Sequence, residues 1–364
     1  MRLIDITTFL EEIAPLSLQE SYDNSGLLIG SYDSEITKAL ISLDVTPEVI
    51  DEAIENKCNL IIAHHPLIFK GLKRLTGSND VERSILKAIK ANIAIYAIHT
   101  NLDNVFEGVN HMLAAKLGLT RLSILSSKPN LLRKIVTFCP VKDADKIRKA
   151  MFEAGAGHIG NYDNCSFNSE GVGTFKGNET TTPYVGEPEK LHHEKETRIE
   201  TVVPAYLVNN TIKALIQTHP YEEVAYDIYP LENSFQKIGS GMVGELEEAM
   251  PAEEFLKKVK TILGCQYIKH NALVDRPIKR VAVCGGSGSF LIHDAFRAKA
   301  DIFITGDIKY HEFFEHLNLM TIADAGHFET EQSTKELLEG FLTKKFPNFA
   351  LRISKKNVNP VSFL

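Results

Sequence analysis

The sequence lacks paired cysteines. Its five, Cys58, Cys139, Cys165, Cys265 and Cys284, are scattered through 364 residues with no CxxC spacing. An odd, dispersed set argues against a disulfide framework or a thiolate zinc site and fits reduced thiols in the cytoplasm. An excess of positive charge is missing too: 40 Lys and Arg stand against 47 Asp and Glu, a net charge of −7. No overall basic field exists to hold nucleic acid. No apolar run approaches the length needed to span a membrane. The N-terminal MRLIDITTFLEEIAPL is an amphipathic helical pattern carrying Asp5, Glu11 and Glu12, without the basic start and apolar core of a signal peptide. There is no G-x-S-x-G elbow, and no cysteine–histidine arrangement suited to a nucleophile.

What is present is a soluble globular mixture, 44% hydrophobic and 24% charged, long enough for two or three domains. KALISLDV reads as a strand. Thr46 can cap a helix whose first position is Pro47, and NLIIAHH reads as the next strand. VERSILKAIKAN and IAIYAIHTNLD add a helix and a third strand, a β-α-β-α-β order that implies a mostly parallel sheet. The same grammar returns in KRVAVCGGSGS, FLIHDAFRAKA, DIFITGDIKYHEF and LNLMTIADAGHFE. Ala39 to His64 and Val281 to Gly306 span equal distances, so the chain reads as two duplicated α/β halves, with chance similarity of two βαβ units as the alternative.

Between them the pattern is β-α-β-β-α-β, the ferredoxin-like arrangement. The domains expected are residues 1–126, an inserted ferredoxin-like domain at 127–235, and 236–364. The insert's loop NETTTPYVGEPEKLHHEKE is long and polar, so its His192 and His193 are expected to be solvated.

One stretch raises a chemical question. LIIAHHPLIF ends a buried strand in His64 and His65, followed by Pro66. Adjacent strand residues point to opposite faces, so both imidazoles can serve one site only where the strand ends. Asp103, His327 and Glu331 also fall at strand ends, with Glu331 four residues after His327. Ligands gather at the carboxyl ends of strands in such sheets. A lone histidine there is more often structural. Five coincident donors of N and O type point instead to divalent metal, and their number suits two ions.

The motifs SYDNSGLLIG, IIAHHPLIF, HTNLD, TGDIKYHE and AGHFETE together resemble the dinuclear-metal-centre family labelled GTP cyclohydrolase 1 type 2 homologue, also described as NGG-interacting-factor-like. The resemblance covers essentially the whole chain. Tyr22 stands where that family usually has tryptophan. It implies His64, His65, Asp103, His327 and Glu331 as ligands of two divalent ions, zinc first, with iron and manganese as alternatives. It also implies a toroidal homohexamer, a trimer of dimers. The insert, through THPYEEVAYDIYPL, resembles divalent-cation-tolerance and nitrogen-signalling proteins, and either caps the assembly or senses a partner.

The metal-ligand pattern and that resemblance together imply a cytoplasmic metal-dependent hydrolase acting on a nucleotide-like small molecule. The alternatives are a dinuclear phosphoesterase and a non-catalytic regulatory scaffold. His99 and His311 are candidates to shuttle protons, to hold a substrate oxygen or to support the ligands. The run Gly285, Gly286, Ser287, Gly288 follows a strand and precedes a helix, so its amides are candidates to cradle a substrate phosphate.

Overall fold

The computed structural model describes residues 1–362 and 364. Helix α1 (Leu3–Ile13) buries Leu3, Ile6 and Leu10 on one face. Strands β1 (Gly26–Ile29) and β2 (Lys38–Ser42) follow. The Thr46 hydroxyl accepts from the Val49 amide at 3.3 Å, and Pro47 needs no amide at the first position of α2 (Pro47–Glu55). Every residue of β3 (Leu60–Ala63) is buried, as befits a strand covered on both faces. Asn79 caps α3 (Asp80–Lys90) through the Glu82 amide, and Lys87 and Lys90 lie at the negative end of its dipole. Then come β4 (Ala94–Ala97), the short α4 (Thr100–Asp103), α5 (Val109–Lys116) and β5 (Thr120–Ser127).

Residues 128–236 form a compact unit of their own. It contains β6 (Leu132–Pro140), α6 (Ala144–Glu153), β7 (Ser166–Phe175), β8 (His192–Pro204), α7 (Val208–Thr218) and β9 (Tyr226–Leu231). All strand pairs are antiparallel, in the order β7-β8-β6-β9. Ile135, Ile147, Met151, Ile199 and Leu215 form its core. His192 and His193 are not loop residues. They open β8, because the ladder with β7 extends to Phe175 opposite His192, and His192 is half-buried beside the Phe175 ring at 5.3 Å.

The other unit joins residues 1–127 with 237–364. Its later elements are β10 (Gly239–Met250), α8 (Ala252–Leu263), β11 (Lys269–His270), β12 (Ile278–Ser287), α9 (Ile292–Arg297) and β13 (Ile302–Gly306). They end with β14 (Thr321–Asp324), α10 (His327–Glu331), α11 (Thr334–Lys345) and β15 (Ala350–Ile353). One sheet has the order β1-β4-β3-β2-β15, parallel except at β1. The last strand of the chain therefore belongs to the sheet of the first half. Glu52 on α2 fastens that tail, accepting from the Ser354 hydroxyl and the Lys355 and Lys356 amides.

The second sheet, β11-β14-β13-β12-β10-β5, differs from a mostly parallel one. Only β12, β13 and β14 run parallel; β10, β5 and β11 add antiparallel neighbours. β5 and β10 flank residues 128–236 and pair with Gly239 opposite Ser127, so the chain leaves and re-enters this unit at adjacent positions. The first sheet and its helices bury Leu40, Val49, Ile61 and Ile85. In the second, Val281 and Val283 face one core while Ala282 and Cys284 face the other, the alternation of a strand covered on both sides. Among the described residues no helix is long and apolar enough to cross a membrane.

Candidate metal centre

Both parallel cores end at one place. His64 and His65 follow β3, Asp103 closes α4 just beyond β4, and His327 and Glu331 begin and end α10, just beyond β14. His65 Nε2 lies 3.0 Å from Glu331 Oε2 and 3.4 Å from His327 Nε2. His327 Nε2 is also 3.0 Å from Glu331 Oε2. His64 Nε2 lies 3.6 Å from Asp103 Oδ1 and 3.8 Å from Glu331 Oε1, beyond hydrogen-bonding distance to either. That nitrogen is fully buried and has no partner. The structure thus brings together all five residues singled out in the sequence.

What lies behind the rings explains their orientation. His64 Nδ1–H donates to the Ile98 carbonyl at 2.9 Å. His65 Nδ1 bonds Asp44 Oδ1 at 2.8 Å, and His327 Nδ1 bonds Asp307 Oδ2 at 2.6 Å. His99 Nδ1 bonds Asp23 Oδ1 at 2.8 Å. An acceptor at Nδ1 holds a proton on that nitrogen and leaves the Nε2 lone pair for a metal, the arrangement expected of metal-binding imidazoles. His99 joins the cluster, its ring centroid 5.2 Å from that of His64 and 5.3 Å from that of His65. Two donor groups result, His64–His65–His99 and His65–His327–Glu331, sharing His65.

The electrostatics suit a cation. Burial works against a charged His65, but Asp44 and Glu331 outweigh it and push its pKa up to about 10. His327 rises to about 9 for the same reason, with Glu331 and Asp307 as its partners. Burial alone would raise Glu331; the imidazoles of His327, His64 and His65 hold it well below the ordinary carboxylate range. Burial dominates at Asp103 and raises it. Protons on the imidazoles compensate the buried carboxylates, and a divalent ion could take their place. The residues present fit a metal: His64 Nε2 is orphaned, and the anchored imidazoles of His65 and His327 converge on the same Glu331 oxygen.

The other expected residues fare differently. His311 is exposed on a turn at residues 310–314 and touches Tyr310 and Phe314, with no hydrogen bond or ring contact to the cluster. Gly285, Gly286 and Ser287 continue β12 rather than forming an open loop, with Gly288 directly after them. The Gly285 amide donates to Asn110 Oδ1 at 2.9 Å and the Gly286 amide to Thr330 Oγ1 at 3.0 Å. Both are committed within the fold and unavailable to a phosphate. Gly286 has another use: at φ 63°, an added Cβ would lie 2.1 Å from Glu331 Oε1. Its bareness lets Glu331 reach the cluster.

Asp23, Asp44 and Asp307 carry no role in the sequence reading. Asp44 and Asp307 sit just beyond β2 and β13, so the strand-end rule that selected the ligands reaches them too. Asp23 is visible only as part of SYDNSG.

The match to known proteins runs the length of this architecture. The pattern of the Duf34/NIF3 (NGG1p interacting factor 3) family covers residues 1–360. The chain belongs to that family. Its relatives include the "GTP cyclohydrolase 1 type 2 homolog" of Halalkalibacterium halodurans, 40% identical over 364 residues, 99% of this chain and 98% of the relative. The Bacillus subtilis protein of the same name is 39% identical over 365 residues, again 99% and 98% of the two chains. Among solved structures, a Bacillus cereus protein related to NIF3 superposes with a TM-score of 0.87 at 39% identity, covering 100% of this chain and 99% of its own. Staphylococcus aureus protein SA1388 gives 0.79 at 32% identity, with the same coverage.

Proposed function

We propose that this family member is a metal-dependent hydrolase acting on a nucleotide-like substrate, with two divalent ions held by His64, His65, Asp103, His327 and Glu331. The observation that carries the reading is His64 Nε2, buried without a partner and facing Asp103 and Glu331, beside three further imidazoles anchored at Nδ1. Five donors exceed what one ion needs, and Glu331 turns Oε1 toward His64 and Oε2 toward His65 and His327, which favours two ions over one. Zinc suits a set this rich in imidazole, and iron or manganese would also accept all-N/O donors. When bound, the ions supply the Lewis acidity that hydrolysis at neutral pH requires.

The chain's own groups supply the rest. Asp23 holds His99 so that Nε2 can accept or return a proton at the cluster's edge. Tyr22 and Phe69 are exposed, with ring centroids 6.3 Å apart, and Phe69 lies 6.5 Å from the His99 ring. They offer aromatic faces to a flat heterocycle. With the Gly285 and Gly286 amides committed, only Ser287 and Gly288 of that run remain for a phosphate. We further read residues 127–235 as a ferredoxin-like insert and the two flanking halves as duplicates. By the family resemblance, the working form is a cytoplasmic toroidal homohexamer built as a trimer of dimers.

The donor set itself favours one second reading. It contains only N and O atoms, which suits a dinuclear phosphoesterase, where two ions stabilise attacking and leaving oxygens together. GTP and a model phosphoester, offered to protein loaded with zinc, manganese or iron, separate the readings through formate and phosphate release. Hydrolysis of the guanine imidazole ring at C8 releases that carbon as formate, so formate that disappears in Asp103→Ala supports the nucleotide hydrolase. Phosphate without formate supports the phosphoesterase. Neither product with any metal contradicts an enzyme and leaves a metal-binding scaffold.

A further inference from the structure

The unit of residues 128–236 carries a half-open cleft of about 420 Å³, within the range of small-molecule sites. Four aromatic residues line it: Phe138 on β6, Phe175 at the end of β7, Tyr184 in the connection to β8, and Tyr221 beyond α7. The Tyr221 ring lies 6.1 Å from Phe175 and 6.3 Å from Tyr184, inclined at 56° and 55°, so the rings wall a space rather than stack. The Glu222 carboxylate accepts from the Thr182 amide at 2.8 Å, fixing the connection that carries Tyr184.

Glu196, on β8, lies among these rings and is only 9% exposed. Its Oε1 accepts from the Tyr221 hydroxyl at 2.7 Å. An added Cβ on Gly173 would fall 2.0 Å from its Oε2, so glycine there leaves the carboxylate its place. The acids on either side along β8 are paired, Glu194 with His192 and Glu200 with Lys134 and Arg198. Among the described residues, Glu196 forms no ion pair. A buried carboxylate without a cation is costly and calls for a counter-charge. Aromatic faces attract cations, as the chain's own Lys142 shows over the Tyr184 ring at 4.7 Å.

We propose that this cleft binds a small organic cation, an alkylated ammonium ion, with the aromatic faces around its charge and Glu196 as counter-ion. A neutral apolar guest would leave the carboxylate uncompensated. A divalent metal would need several oxygen ligands where these walls offer mainly carbon.

Calorimetric titration of the full-length protein with choline and with its neutral isostere 3,3-dimethylbutan-1-ol tests this. Choline should bind once per chain, and the isostere at least about tenfold more weakly, the scale of a desolvated cation–π contact plus a counter-ion. Glu196→Gln should reduce choline affinity to that of the isostere. Tyr184→Ala, at a ring 45% exposed and outside the core, should weaken choline binding in a folded protein. Equal affinities for the two probes, absence of choline binding, or unchanged affinity in either folded variant would overturn the proposal.

Discussion

Among the described residues there are two clusters of histidine and glutamate, and they differ in what stands behind the donor atoms. In the buried one, His64, His65, His99 and His327 each use Nδ1 on an oxygen outside the donor group, leaving Nε2 facing inward. In the other, His293 Nδ1 lies 3.0 Å from His316 Nε2, and His293 Nε2 lies 3.2 Å from Glu315. Both nitrogens of His293 are thus used within its own cluster. Its side chain is 69% exposed, and His316 stacks on Phe296 at 3.8 Å. The residue types match; the support does not. Donors anchored from behind and packed around the buried His64 and Glu331 cannot relax away from one another, and that distinguishes a candidate metal centre from a surface coincidence.

The comparison breaks most visibly at Gly286. Gly286→Ala places a Cβ against Glu331 Oε1 and a side chain at φ 63°, a strained conformation costing about 1–3 kcal/mol before the clash. It should lose most bound metal by elemental analysis. Full retention would show that Glu331 is not held where its ligand role needs it. Next in size, Asp44→Asn and Asp307→Asn should each weaken metal affinity about 10- to 100-fold in a competition titration, because they free the rings of His65 and His327. Affinity equal to wild type would sever the link between anchoring and binding.

A smaller effect tests the packing that carries the first sheet. At Glu52, burial works against the charged form, but the Ser354 hydroxyl and the Lys355 and Lys356 amides overcome it and lower the pKa. Its contribution is present above the unfolded value, about 4.3, and is lost as pH falls through the lower folded value. Glu52→Gln should be less stable than wild type in urea at pH 7, and the gap should close in acid. A gap that persists at low pH would contradict this tether. The smallest effect belongs to the exposed cluster: His316→Ala should stay within about 0.5 kcal/mol of wild-type stability and keep its tightly bound metal.

Local chemistry made much of this legible. The buried run before His64, the Thr46 cap with Pro47, and the four-residue spacing of His327 and Glu331 each rest on a few neighbouring residues. They appear in the structure as a covered strand, a capped helix and one helical turn. Partners distant in sequence were not legible. A strand, glycines and a following helix read as a phosphate loop because nothing nearby shows that Asn110 and Thr330 take the amides. The antiparallel strands beyond β12 were hidden likewise, since β10 pairs with β12 on one side and with β5 on the other, and residues 128–236 separate β5 from β10 in the sequence. His192 misled for a related reason, its strand character coming from pairing with Phe175 and not from apolar neighbours.

Metal content bears most directly on the central claim. Protein stripped with chelator, reloaded with zinc and passed through a desalting column should retain about two equivalents per chain by mass spectrometry. The same value should hold in His316→Ala, and Asp103→Ala should fall below it. One equivalent or less in wild type, or loss of the second in His316→Ala, would contradict a buried two-ion centre.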